Sequence, residues 1–237
     1  MSGAAAAPVP GLQRLVYGRR RSHRLRPGRR RLLAEHLPEV EISVPEAGRI
    51  DPTTLFGDRR PLWLEIGFGG GEHLAAQAAA HPDRGLIGCE PYISGVARLL
   101  ALAEAQALTN LRIVVDDARL LLDALPDGCL ERIFVLFPDP WPKARHHKRR
   151  IVNAATAAQF ARLLLPGGEL RLATDDMGYA RAMLLALLPV HELAWLARGP
   201  SDWRARPADW PATRYEEKAG SAGRCCVYLR FRRLQDL

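Results

Sequence analysis

The segment FPDPWPKARHHKRR, Phe137 to Arg150, sets one carboxylate between two prolines, an indole beside it, and five cations and two histidines after it. Proline fixes its own φ and disfavours helix in the preceding residue, so Asp139 is expected in a stiff turn. A fixed carboxylate beside an aromatic that can stack a base, followed by a mobile cationic loop, is equipped to orient a ring-bearing polyanion. A second group lies upstream. Glu65-Ile66-Gly67-Phe68-Gly69-Gly70-Gly71 has the form E-x-G-x-G-x-G, and Glu90 follows Glu65 by 25 residues. Glycines there let the backbone turn and approach a ligand, and an acid at the end of the next strand can accept from both hydroxyls of a ribose. A third group, Asp116-Asp117-Ala118, offers a carboxylate that either accepts from an adenine amine or caps a helix.

Two details favour S-adenosylmethionine over a nicotinamide dinucleotide. The fingerprint G-x-G-x-x-G needs its third glycine at position 72, which is Glu72, and an acid there would face a pyrophosphate badly. Glu65, just before the loop, is better matched to a cationic ligand than to an anionic one.

These residues need an open sheet to position them. Strands are expected at PLWLEI, GLIGCE, LRIVV, LERIFVLF and GELRLAT, with further strands at HELAWLA and CCVYLRFR. Between them fall helical stretches at GGEHLAAQAAA, about residues 93–108, near Arg119, and over 152–165 and 177–188. Short continuous apolar strands alternating with helices predict a doubly wound, mostly parallel α/β sheet covered on both faces. Pro166-Gly167-Gly168 reads as a helix-to-strand turn, and 198–212 as a loop.

The chain carries a net charge of +8, but nine arginines and no acid lie between Gly11 and Ala34. The excess therefore belongs to a basic N-terminal arm, residues 1–34, expected to stay flexible until it meets an anion such as nucleic acid; residues 35–237 read as a single domain. No apolar run reaches the length of a membrane span, and the basic N-terminus lacks the apolar segment of a secretory signal. Four cysteines without metal-site spacing predict reduced thiols and no metal, so a cytoplasmic location is expected.

The motifs R-S-H-x-x-R-x-G-R from Arg21, LEIGFGGGEHL, GCEPY, DDA, FPDPWPKARHHKRR, ATDD and TRYEEKA make the chain closely similar to the bacterial tRNA (guanine-N7)-methyltransferases over roughly residues 21–232. It departs from their pattern in the residues before Arg21 and in Met177 after ATDD. The resemblance implies a Rossmann-like class I methyltransferase sheet of about seven strands. It implies methyl transfer from S-adenosylmethionine to guanine 46 in the variable region of tRNA, by a monomer or a homodimer. Carried over by position, it places Glu65, Gly67, Gly69, Glu90, Asp117 and Asp139 at the cofactor, with Asp139 also catalytic. Lys143, Asp175, Thr213, Arg214, Tyr215 and Glu216 would meet the target nucleotide, and Arg145, His146, His147, Lys148, Arg149 and Arg150 the RNA. Three other readings compete: the same cofactor with a DNA, RNA or protein acceptor, an RNA-binding module without turnover, and a nicotinamide oxidoreductase. The intact glycine loop and Asp139 speak against the second, and Glu72 against the third.

Overall fold

A computed structural model describes residues 25–235. The strands β1 (Leu62–Ile66), β2 (Gly85–Cys89), β3 (Leu111–Val114), β4 (Leu130–Leu136), β5 (Leu164–Thr174), β6 (Leu193–Trp195) and β7 (Val227–Arg233) form one sheet in the order β3-β2-β1-β4-β5-β7-β6. The first five strands run parallel, and β7 enters antiparallel between β5 and β6. The order reverses direction beside β1, so the ends of β1 and β4 splay apart there and leave a crevice at the carboxyl edge.

Both faces are covered, which is why every residue of β1 and β2 is buried. On one face α3 (Glu72–Ala80) and α4 (Ile93–Ala105) bury Leu74 and Leu99 against Trp63, Leu86 and Phe134. On the other, α5 (Ala118–Ala124), α6 (Ala154–Leu163) and α7 (Met177–Leu187) bury Leu121, Phe160 and Met183 against Leu64, Ile133 and Leu172. Asn153 begins α6 with a reciprocal capping box to Thr156, the local signal that stops the chain from continuing the cationic loop.

Several expectations are corrected. The arm expected over 1–34 falls largely outside the described residues, but its last part is helical: α1 (Pro27–Glu35) packs on α4 and buries Leu32. Charge alone marked those residues as arm, because one buried leucine among arginines gives almost no periodicity. Pro166-Gly167-Gly168 does not separate α6 from β5. Leu164 already pairs with Leu130, and the glycines form an irregularity inside the strand before Glu169 resumes pairing with Arg132. Short elements that the sequence did not announce are α2 (Leu37–Val40), α8 (Ser201–Arg204) and α9 (Arg214–Ser221). Among the described residues no helix is long and apolar enough to cross a membrane.

Candidate active site

The carboxyl ends of β1, β2, β3 and β4 meet around a cavity of about 380 Å³, walled by Gly67, Gly69, Glu90, Asp117, Asp139 and Tyr215 among others. Its size fits a nucleoside-sized ligand. In the glycine loop, Gly67 and Gly69 take φ of +73° and +55°, a conformation in which a side chain would be strained. That turn aims the Gly69 N–H at Glu90 Oε2, 2.9 Å away, while the Tyr92 N–H donates to Oε1 at 3.0 Å. Burial pushes the Glu90 carboxyl above its ordinary value, and the two N–H groups only partly pull it back. Each carboxylate oxygen keeps a lone pair for a ligand, so Glu90 is fixed by the loop and still able to accept from a ribose.

Gly95 completes this clamp and was missed by the sequence reading. A Cβ at Gly95 would stand 2.1 Å from the Gly69 carbonyl oxygen, so α4 can reach the loop only with glycine there. The available signal was a glycine inside a long helix, which costs stability unless another backbone comes close.

Asp117 lines the cavity but works as the cap of α5. It accepts the Arg119 N–H at 2.9 Å, and the Arg119 guanidinium lies 3.1 Å from each of its oxygens. Glu65 is outside the cavity lining. Strand alternation turns it under α3, where it is 3% exposed and its Oε2 sits 2.7 Å from His73 Nδ1. The residues expected around the cofactor therefore come together with that one exception.

The turn after β4 is strained on both sides of Asp139, with φ of +50° at Phe137 and +46° at Trp141. Three contacts hold it. The Phe137 N–H donates to the Ala173 carbonyl at 2.8 Å, Arg150 Nε donates to the Pro140 carbonyl at 2.8 Å, and the Arg149 guanidinium lies 4.8 Å from the centre of the Trp141 ring. Asp139 itself is exposed in the cavity wall, and among the described residues it makes no hydrogen bond or ion pair.

The basic tail differs from the expected mobile loop: Ala144–Arg149 form a 3-10 helix. Arg150 is a correction to the expected RNA contacts, since it is buried beneath the turn with its guanidinium 4.7 Å from the Tyr179 ring centre. Its cation braces Pro140, while Lys143, Arg145, His147 and Lys148 face outward. His146 is half-buried, edge-on to Trp141 at 5.9 Å, and Arg149 is half-buried in the cavity wall.

The C-terminal segment reaches the cavity through Trp210, a buried anchor packed edge-on to Tyr228 at 5.8 Å and 5.6 Å from the Arg171 guanidinium. Beyond it Thr213 caps α9 by accepting the Glu216 N–H at 3.2 Å. Tyr215, 48% exposed, roofs the glycine loop and stacks near-parallel to Phe137 at 6.3 Å between ring centres. Burial, followed by the charges of Glu90 and Asp139, pushes its hydroxyl above the ordinary tyrosine value. Arg214 lies 3.7 Å from Glu72, and Glu216 is taken up by Tyr228 and Arg206. Lys143, Asp175, Thr213, Arg214 and Glu216 are not among the residues that line the cavity.

This sheet order, with its antiparallel β7 and a ligand cavity over the glycine loop, defines a class I methyltransferase fold. Solved structures agree on the fold: the 16S rRNA methyltransferase KamB aligns with TM-score 0.53 at 16% identity, over 80% of this chain and 96% of that one. A family model described as a putative methyltransferase matches residues 59–229. The tRNA (guanine-N(7)-)-methyltransferase of Rhodospirillum rubrum is 54% identical over 92% of this chain and 87% of its own. That of Zymomonas mobilis is 46% identical over 93% and 95%. The chain belongs to the tRNA (guanine-N7)-methyltransferase family.

Proposed function

We propose that this protein methylates N7 of a guanine in tRNA, position 46 of the variable region, using S-adenosylmethionine in the cytoplasm. The observation that carries the mechanism is the Asp139 carboxylate, without a partner among the described residues and held by a strained turn in the wall of the same cavity as Glu90. S-adenosylmethionine supplies an electrophilic methyl group on a positively charged sulfur. Glu90, clamped by Gly69 and Tyr92, accepts from the ribose hydroxyls, and Asp117, in the same cavity wall, accepts from the adenine amine with the lone pairs that Arg119 leaves it. Gly67 and Gly69 give the backbone room beside the ligand. Glu65 supports the loop from beneath α3, outside the cavity.

Guanine N7 carries a free lone pair, so no general base is needed. The lone pair forms the new C–N bond, sulfur keeps the electron pair of the broken one, and positive charge passes to the purine. Asp139 stabilises that charge where it develops, an electrostatic contribution made with little reorganisation because the turn already fixes the carboxylate. Trp141 and Tyr215 supply aromatic faces for the base, and aligning N7 with the methyl group provides the remaining acceleration. Lys143, Arg145, His147 and Lys148 face the phosphate backbone, with Arg149 behind them.

The test is incubation with labelled S-adenosylmethionine and unmodified tRNA, the product mapped by borohydride reduction and aniline cleavage. Cleavage at guanine 46 is expected. Label at another atom or nucleotide contradicts the assignment.

A further inference from the structure

Three carboxylates are candidates to meet the N1–H and 2-amino donors of guanine, Asp139 in the cavity wall, Asp175 after β5 and Glu216 on α9, and they are held very differently. Asp139 has no partner among the described residues. Glu216 has two partners on one oxygen, since its Oε1 accepts from the Tyr228 hydroxyl at 2.6 Å and lies 3.0 Å from Arg206 Nε, and Arg206 is itself held by the Trp210 carbonyl. Asp175 sits at the end of β5, beside the origin of the Asp139 turn, and its ion pair is a single contact from Arg224 Nη2 at 3.1 Å. The Arg224 side chain is 56% exposed, whereas its backbone is fixed where the chain leaves α9, its N–H donating to the Ala219 carbonyl at 2.9 Å. The guanidinium is thus free to leave Asp175 without disturbing the fold.

A guanidinium and the Watson–Crick edge of guanine present the same kind of paired N–H donors to a carboxylate. We infer that Arg224 occupies Asp175 as a stand-in for the target guanine, and that tRNA binding exchanges this arginine onto an RNA phosphate and leaves Asp175 to read the base. This rests on the guanine-methylating function proposed above. Each group keeps a hydrogen-bonding partner through the exchange: Arg224 trades a carboxylate for a phosphate, and Asp175 trades a guanidinium for the N–H donors of neutral guanine. A half-exposed ion pair contributes little stability, so the step is easily reversed. It also selects the base. Adenine sets the acceptor N1 beside its 6-amino donor, cannot offer a carboxylate a pair of donors, and leaves Arg224 in place.

The test compares wild type, Arg224→Gln, Asp175→Asn and the double variant, each checked by a melting curve. Guanosine binding is measured in the presence of S-adenosylhomocysteine, and affinity for unmodified tRNA is measured across a salt series. Arg224→Gln is expected to bind guanosine about two- to fivefold more tightly, the scale of one half-exposed ion pair. The gain should vanish in the Asp175→Asn background. The same variant should flatten the slope of log affinity against log salt by about 0.7–0.9, the loss of one phosphate contact. Guanosine affinity at or below the wild-type level, or an unchanged salt slope, overturns the exchange. Wild-type methylation of the same tRNA is assayed in parallel. Its absence would defeat the proposed function itself, whereas an active wild type with unimproved guanosine binding in Arg224→Gln defeats the exchange alone.

Discussion

Glu90 and Asp139 stand in the same cavity wall at the same edge of the sheet, yet among the described residues one carboxylate is bound on both oxygens and the other on neither. Glu90 is held by N–H groups of a loop and a helix start that the parallel strands fix in place. Asp139 is held only through its neighbours, by two residues at positive φ and by the Arg150 contact to Pro140. A group that binds a ligand gains from being anchored. A group that must answer charge appearing on a substrate gains from having its lone pairs uncommitted and its position fixed from outside. Removing each group should therefore produce different kinds of defect.

The largest effect is expected on the Asp139 side. Asp139→Asn keeps the shape of the turn and removes a charge that makes no hydrogen bond or ion pair among the described residues, so thermal stability should hold. Single-turnover methylation should fall by on the order of 10²–10³, the scale of one preorganised electrostatic contact. Lower stability with near-normal turnover would reverse the roles drawn for the two carboxylates.

Glu90→Ala should instead cost cofactor affinity, by roughly 1.5–3 kcal/mol for hydrogen bonds to a charged group. Affinity for tRNA alone should change little, and calorimetry with S-adenosylhomocysteine reads the difference. The wild-type pH profile sharpens the point. Burial raises the Glu90 carboxyl above the ordinary glutamate value, so it protonates earlier than an exposed glutamate as the solution is acidified. Cofactor affinity should be full above that raised value and fall as pH drops through it. A profile that stays flat until below the ordinary glutamate range would remove Glu90 from the contact.

Gly95→Ala tests the clamp without touching a charge. Its Cβ would meet the Gly69 carbonyl at 2.1 Å, and backbone cannot rotate aside. Overpacking of this kind costs about 1–3 kcal/mol. The loss should appear in S-adenosylhomocysteine affinity, measured by titration, with turnover at saturating cofactor nearly restored.

The parallel half of the fold was legible because its strands are buried on both faces and so read as unbroken apolar runs, LWLEI and GLIGC among them. The glycine loop and Glu90 were legible for the same reason, since their place follows from where those strands end. The substrate side was less so. Helix α9 buries Ala219 alone, and no periodicity could show it. The orientation of Glu65 was not legible, because its inward turn toward His73 depends on which face of β1 it occupies, and a strand buried on both faces carries no alternation to reveal that. Arg150 read as one more cation in a run, although Pro140 and Tyr179 make it a brace.

The smallest effect should come from a carboxylate remote from the cavity. Burial alone would raise the Glu169 carboxyl, but the hydrogen bond from Arg232 and the charges of Arg171 and Arg230 outweigh it and hold the group down to about 2. A depressed carboxyl contributes stability above its unfolded value and loses it as pH falls toward the folded one. Glu169→Gln should therefore be less stable at neutral pH by on the order of 1–2 kcal/mol, since the amide still accepts from the same donors. The gap to wild type, read by denaturant melts, should close between about 4.5 and 2 as the wild type protonates. Activity per folded molecule should be unchanged, which separates stability charges from site charges.

The central claim is that the nucleophile is the N7 lone pair of the tRNA guanine, with Asp139 receiving the charge that follows. It is tested most directly with a tRNA carrying 7-deazaguanosine at position 46, where carbon replaces the nitrogen and every Watson–Crick donor is kept. The tRNA is predicted to bind with unchanged affinity and to take up no label from S-adenosylmethionine. Methyl incorporation at the wild-type rate would contradict the account.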